Sequence, residues 1–280
     1  MGIQMQMTEQ RFAICEWCMN VEGTEAILEA GRLGFDGIQL GDAGGSKNGF
    51  PLNDPAVQRA YLDVAVKAGV AFQSLHLFTL VRQGGTQLPA GDPLNDAALE
   101  SIRKGAEACR DMKIPILQLT SYDNCTIHTH EEAENTAVTM QKACKIGREL
   151  GIRIAWECVA PVSVLQYVLD AVGPELTLCY DLGNPIKFST GDPIDDLKIL
   201  GRKAVDHIHM KDMPPEGAGS WPMGRGRGHL KQTVQHCLDM GFSGWWISEN
   251  FYCNAPLKDQ GTYEELIQSD LSVMKEFVLG

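Results

Sequence analysis

The stretch GRELGIRIAW, residues 147–156, joins the end of one element to the start of another. Residues up to Leu150 continue a helical spacing of apolar side chains. Gly151 is a helix stop, and Ile152 to Trp156 form an apolar run with two β-branched residues, the pattern of a strand. The same order of helix, glycine and strand recurs in EAGRLGFDGIQL (29–40), DVAVKAGVAF (63–72) and LDMGFSGWWI (238–247). Extended outward, strand-like runs occur at 12–17, 37–40, 71–77, 116–120, 152–157, 176–181, 205–210 and 245–250. Helical patterns occupy 23–34, 54–69, 95–112, 130–151, 163–173, 192–203, 230–241 and 262–280.

Eight strands alternating with eight helices give about 35 residues per unit, which predicts an α/β fold of the (β/α)8 TIM barrel type. A doubly wound sheet would carry a glycine-rich phosphate turn after its first strand. Neither CEWCMNVEGT nor GDAGGSKNG (41–49) has that glycine order. No linker or shift in composition divides the chain, so residues 1–280 are expected to form a single domain.

The chain carries 36 acidic and 24 basic residues, a net charge of −12, and no local basic cluster. That field repels phosphate backbones and argues against a nucleic-acid partner. No apolar run reaches the roughly 18 residues of a membrane helix, so no membrane partner is expected. The start, MGIQMQMTEQRF, lacks the basic and apolar regions of a signal peptide, and Gln6 breaks the myristoylation pattern that Met1-Gly2 suggests. A cytoplasmic protein is expected. The nine scattered cysteines fit free thiols, and Cys15 and Cys18 read as buried thiols although they form a C-x-x-C.

In such a barrel the chemistry sits at the carboxyl ends of the strands. Four successive strands end in a metal-capable side chain: Glu157 in AWECVAP, Asp181 in CYDLGNP, His209 in HIHMKD and Glu249 in WISENFY. They are 24, 28 and 40 residues apart, each about one strand-helix unit. On adjacent strands of one rim they could share an ion. Three carboxylates and one imidazole suit Mn2+ first, with Mg2+, Co2+ or Zn2+ as alternatives. His207 shares a face with His209 but lies one layer lower, as support.

On these motifs the chain resembles the xylose isomerase-like barrels, which include sugar and sugar-phosphate isomerases and epimerases. It is most similar to the L-ribulose/L-xylulose 5-phosphate 3-epimerases. The resemblance rests on ILQLTSYD (116–123), YDLGN (180–184), HIHMKD (207–212) and GFSGWWISEN (241–250). It implies that Glu157, Asp181, His209 and Glu249 bind one divalent cation and that Glu157 and Glu249 are also the catalytic acid/base pair. The implied activity is epimerisation or isomerisation of a ketose or ketose phosphate. Two glutamates would move the proton through an enediolate that the cation stabilises. The resemblance also implies a homo-oligomer acting on a small sugar or sugar phosphate. Endonuclease IV, a relative with more histidine ligands, is disfavoured by Asn184 three residues after Asp181 and by the acidic charge.

His76 falls where the family has a substrate-contacting histidine, and it joins Asn184, Lys211 and Arg225 as candidate substrate-binding residues. Lys211 could instead pair with Asp212. Arg225 and Arg227 lie in EGAGSWPMGRGRGHL (216–230), which reads either as a solvated loop or as a lid with an anion contact. Arg82 is a further basic candidate, and Glu16 a possible substrate contact. Thr129 with Glu132 fits a capping box, which explains the neighbouring His128 and His130 without a metal. Because loop 216–230 departs from the epimerase pattern, a metal-dependent lyase or dehydratase like inosose dehydratase stays open as the alternative. A third possibility is a barrel that binds sugar without turning it over.

Overall fold

A computed structural model describes residues 9–280; the readings of a signal sequence and of Met1-Gly2 rest largely on residues outside that range. Eight strands are present: β1 (Arg11–Cys15), β2 (Gly37–Gly41), β3 (Ala71–His76), β4 (Ile116–Ser121), β5 (Arg153–Cys158), β6 (Leu176–Asp181), β7 (Val205–Met210) and β8 (Trp245–Ser248). Each pairs in parallel with the next, and β8 closes on β1 through Arg11–Trp245 to Ile14–Ser248. The result is a (β/α)8 TIM barrel, as the alternation predicts.

The helices among the described residues are α1 (Thr24–Leu33), α2 (Pro55–Ala68), α3 (Phe78–Gln83), α4 (Pro93–Met112), α5 (His130–Leu150), α6 (Val162–Val172), α7 (Asn184–Lys187), α8 (Pro193–Leu200), α9 (Leu230–Asp239) and α10 (Tyr263–Leu279). Of these, α3 and α7 were not foreseen: six and four residues are too short to show a helical period. No helix among the described residues is long and apolar enough to cross a membrane.

The opening stretch shows how the units are held. Helix α5 begins with the expected capping box, in which Glu132 N donates to Thr129 Oγ1 at 3.1 Å and Thr129 N to Glu132 Oε2 at 2.9 Å. It ends at Gly151, whose φ of +73° turns the chain and lets Ile152 N donate back to Gly147 O at 2.8 Å. A Cβ on Gly147 would lie 2.5 Å from Ile152 O, so the helix sits tight on the strand it has just fed.

Period 2 along the strands then sorts the side chains. Ile38, Leu40, Leu117, Leu119, Trp156, Ile208 and Trp246 are buried in the hydrophobic core. Fully burying one such side chain contributes roughly 1.5–3 kcal/mol. The alternate positions hold Gln39, Gln118, Glu157, His207 and His209, all buried and hydrogen-bonded to one another. The centre of this barrel is therefore polar.

Two strand ends differ from expectation. The first strand stops at Cys15 rather than residue 17 because Glu16 turns aside: its Oε1 accepts from Gly23 N at 2.6 Å and its Oε2 from Gly41 N at 2.7 Å. Glu16 thus clamps the loop after β1 to the end of β2. The last strand stops at Ser248, although Glu249 N still donates to Met210 O at 2.9 Å.

Candidate metal centre and its pocket

Asp181 and His209 are direct partners in the β6–β7 ladder, so the two side chains emerge side by side. Glu157 comes from β5 and Glu249 from just beyond β8. Barrel closure brings one ligand atom of each of the four within 4.8 Å of the others, all of them buried. His209 Nδ1 is 3.5 Å from Glu249 Oε2, 3.9 Å from Glu157 Oε1 and 4.0 Å from Asp181 Oδ2. These are the separations of atoms arranged around a common centre rather than bonded to each other.

The orientation of His209 is set from below. Gln39 spends both amide hydrogens on Ser74 Oγ and Gln118 Oε1, which leaves its Oε1 to accept from His209 Nε2 at 2.7 Å. With Nε2 as the donor, Nδ1 presents its lone pair to the carboxylates, and it has no hydrogen-bond partner. A buried, unpartnered imidazole nitrogen facing three carboxylates fits a divalent cation.

The two glutamates are held differently. Glu157 accepts from Gln118 Nε2 at 2.9 Å and from Asn184 Nδ2 at 2.9 Å. Glu249 accepts from Trp17 Nε1 at 3.2 Å and from Lys211 Nζ at 2.9 Å. Burial, with the Glu249 carboxylate, pushes Glu157 up to about 7. Burial acts on Glu249 too, but Lys211 and His209 outweigh it and hold Glu249 well below the usual carboxylate range. Two carboxylates with proton affinities driven apart are the arrangement acid–base chemistry uses.

Lys211 is buried, and its Nζ also lies 2.6 Å from Asp181 Oδ2, out of line for a hydrogen bond. It does not pair with Asp212, the partner weighed from the sequence. His207 lies beneath, with Nε2 2.8 Å from Gln118 Oε1, so it steadies the glutamine that steadies Glu157.

Above the four residues opens a cavity of about 340 Å³. Glu157, Asn184, Lys211 and Glu249 line its polar end, while Trp17, Phe78, Tyr122 and Phe251 supply ring surface. Asn184 Oδ1 is buried there without a partner, free for a ligand hydroxyl. His76 does not reach this wall. Its Nδ1 accepts from Gln118 Nε2 at 3.0 Å, its Nε2 lies 3.1 Å from Tyr122 Oη, and Trp17 and Phe78 pack over its ring. Both nitrogens are already used, and Tyr122 is the group that faces the cavity.

Arg225 is also elsewhere, exposed on loop 216–230, which contributes no residue to the cavity lining. That loop folds around Asp212, whose carboxylate accepts from the backbone N–H groups of Met213, Gly224, Gly226 and Gly228 at 2.9–3.0 Å. Arg82 faces a neighbouring groove, where it pairs with Asp42 at 3.2 Å. His128 and His130 flank the start of α5 and belong to none of the candidate metal groups among the described residues.

Burial lowers His76 to about 3, which makes it a neutral member of the interior network. The unfolded chain takes up this proton below about 6.5 and the folded chain only near 3. Stability therefore falls as the pH drops through that window, by up to about 1.4 kcal/mol per pH unit from this one group. Glu157, held up to about 7, contributes the opposite slope between pH 4.5 and pH 6, so urea unfolding of wild type reports the sum and the comparison with His76→Gln isolates His76. In His76→Gln the slope should fall by about one proton; an unchanged slope would assign the acid sensitivity to other groups.

Sequence reasoning missed Gln39, Gln118, Trp17, Tyr122 and Lys187. The glutamines had a visible signal, a single amide inside the apolar runs GIQLG and ILQLT. The others stand in short connections with no period to mark them.

A closed parallel barrel carries a carboxylate–histidine cluster at the carboxyl ends of its strands, the face at which barrel enzymes do their chemistry. The chain belongs to the xylose isomerase-like TIM barrel family, which it matches over residues 27–277. It is 29% identical to the 2-epi-5-epi-valiolone 7-phosphate 2-epimerase of Actinoplanes sp. over 233 residues, 80% of each chain. It is 23% identical to the L-ribulose-5-phosphate 3-epimerase UlaE of Shigella flexneri over 243 residues, 80% of this chain and 81% of that one. Among solved structures it shares its fold with D-psicose 3-epimerase of Clostridium cellulolyticum H10, solved with D-tagatose, at a TM-score of 0.75 and 12% identity, covering 96% and 99% of the two chains. The IolI protein, solved with a zinc atom, matches at a TM-score of 0.74 and 17% identity over 96% and 98%.

Proposed function

We propose that this chain is a divalent-metal-dependent epimerase or isomerase of a ketose or ketose phosphate, with Glu157 and Glu249 as its proton-transfer pair. The observation that carries the reading is the unpartnered His209 Nδ1 among Glu157, Asp181 and Glu249. Those four residues would hold the cation, Mn2+ in first place and Mg2+, Co2+ or Zn2+ as alternatives. When bound, the cation supplies Lewis acidity, drawing charge from a carbonyl and its neighbouring hydroxyl so that the C–H between them becomes acidic.

The rest of the work falls to side chains. One glutamate takes the proton from carbon and the other delivers a proton to the opposite face, so no oxidant or reductant is needed. Gln118 and Asn184 aim Glu157, while Trp17 and Lys211 aim Glu249. Asn184 Oδ1 and Lys211 Nζ are placed to meet substrate oxygens, and the aromatic wall keeps bulk water from the exposed carbanion. The names of the two epimerase relatives, each carrying a phosphorylated substrate, agree with this class of reaction. Because loop 216–230 folds on Asp212 and stays out of the cavity, the feature that kept elimination open no longer favours it.

The test is incubation of the purified chain with a panel of ketoses and ketose phosphates, L-ribulose 5-phosphate included, in D2O with Mn2+. The expected product has the mass of the substrate plus one deuterium, and chelation should stop its formation until metal is returned. A product lighter by one water would instead assign the lyase reaction, and absence of exchange across the panel would remove the proposal.

A further inference from the structure

The cavity contains two lysines in different circumstances. Lys211 runs across the face of Gly183, where a Cβ would meet its Cγ at 2.8 Å, and delivers its ammonium to Asp181 and Glu249. Lys187, at the end of α7, lines the open end of the same cavity. Its Nζ packs over the Phe188 ring at 5.0 Å and forms no ion pair or hydrogen bond among the described residues. Asp123 on the rim does not pair with it either. The other lysine lining this cavity, Lys211, has two carboxylate partners.

The charge balance gives that position meaning. Glu157, Asp181 and Glu249 carry three negative charges when ionised. A divalent cation and Lys211 carry three positive charges, so the inner end of the occupied site is neutral. The ammonium of Lys187 is then balanced only by Asp123 on the rim, which does not pair with it, so it stays available to an anion. The side chain is exposed overall, yet packing around its ammonium and the nearby Lys211 both lower its proton affinity. The attraction of an anion at the mouth would offset both effects. Phe188, Phe251 and Val159 border the same opening and would limit the water competing for that contact.

Geometry ties this ammonium to the reacting end. Asn184, which holds Glu157, and Lys187 are three residues apart on α7 and so project from one face of a single turn. Lys187 N donates to Gly183 O at 2.9 Å, anchoring that turn directly beside Asp181. A substrate whose reacting carbons sit between the glutamates would therefore extend its far end past Asn184 toward Lys187. A lysine here acts as a point charge suited to phosphate rather than as a planar clamp.

We propose that Lys187 is the specificity-determining residue of this pocket, and that the substrate it selects carries a phosphate ester at the end of its carbon chain away from the reacting carbon. This rests on the assignment of the cavity as the substrate site, and it narrows the substrate class from ketoses in general to phosphorylated ones. Arg82 and Arg225, the basic residues that the sequence offers for the same task, do not line the cavity.

The test separates binding from turnover by using glycerol 3-phosphate, which has the ester but no ketose carbonyl. The manganese-loaded full chain is titrated calorimetrically with glycerol 3-phosphate and, in parallel, with glycerol. Wild type should bind the phosphate ester and not glycerol. Lys187→Met should weaken that binding by at least about tenfold, Lys187→Arg should restore most of it, and Lys67→Met on the outer surface of α2 should leave it unchanged. Equal binding by wild type and Lys187→Met would overturn the proposal, as would equal weakening by Lys67→Met or no binding by wild type. Lys187-dependent binding without deuterium exchange on any ketose would keep this inference and remove the epimerase reading. Exchange that is indifferent to both phosphate and Lys187 would do the reverse.

Discussion

Glu157→Gln and Glu249→Gln are each expected to reduce deuterium incorporation from solvent by at least about a thousandfold, the upper range for loss of a positioned acid or base. Glutamine preserves the volume of the side chain and one acceptor oxygen, so Gln118 or Asn184 at one site and Trp17 or Lys211 at the other retain a partner. It cannot carry a proton to or from carbon. Both residues also belong to the cluster around His209 Nδ1, so loss of metal would imitate loss of the acid–base group. The exchange assay is therefore run at saturating Mn2+, with bound metal measured by elemental analysis in the same samples. A variant that holds metal but does not exchange isolates the proton-transfer role. Wild-type-like exchange in either variant would remove that glutamate from the mechanism.

The second large effect concerns stability. Asp212 is buried, and its two oxygens accept from four backbone N–H groups that lie in loop 213–228. Asp212→Ala leaves those donors without an acceptor in a folded loop, at roughly 1–3 kcal/mol for each that water cannot reach. The Met213 and Gly228 donors are buried while Gly224 is exposed, so a loss of at least about 2 kcal/mol is expected, a sizeable fraction of the 5–15 kcal/mol by which a domain is ordinarily stable. Urea unfolding followed by circular dichroism measures it. A loss below about 1 kcal/mol would show that water replaces the carboxylate and that the loop does not depend on it. The same residue touches function indirectly. Asp212 N donates to Asn250 Oδ1 at 3.1 Å, and Asn250 donates to Trp221 O and Asp270, so the loop is tied to the segment that carries Glu249.

The loop shows why part of the site could not be read in advance. Two arginines among glycines suggest a mobile anion contact when seen as a string. In the fold the glycine amides turn inward to one carboxylate, and that leaves Arg225 at the surface. His76 is a similar case: the resemblance to the sugar epimerases pointed to the substrate, but Gln118 and Tyr122 occupy both of its nitrogens. Lys187 could not be singled out at all, because a one-turn helix has no period and one lysine among many carries no signal.

The sequence by itself determined the alternation of strand and helix, the placing of six of the eight strand ends within a residue, and the four residues that meet at the rim. It did so because hydrophobic period, glycine stops and capping boxes are local, and because metal-capable side chains at equivalent points of successive units stay equivalent once the units repeat. Tertiary structure alone decided the rest. The amides of Gln39 and Gln118 bond to residues on β3, β5 and β7, so their partners exist only after the barrel closes. The opening stretch holds both lessons. GRELGIRIAW announced a helix, a stop and a strand from its own residues, while the role of Glu157, the next residue, depends on an amide from β4, another from α7 and a histidine from β7.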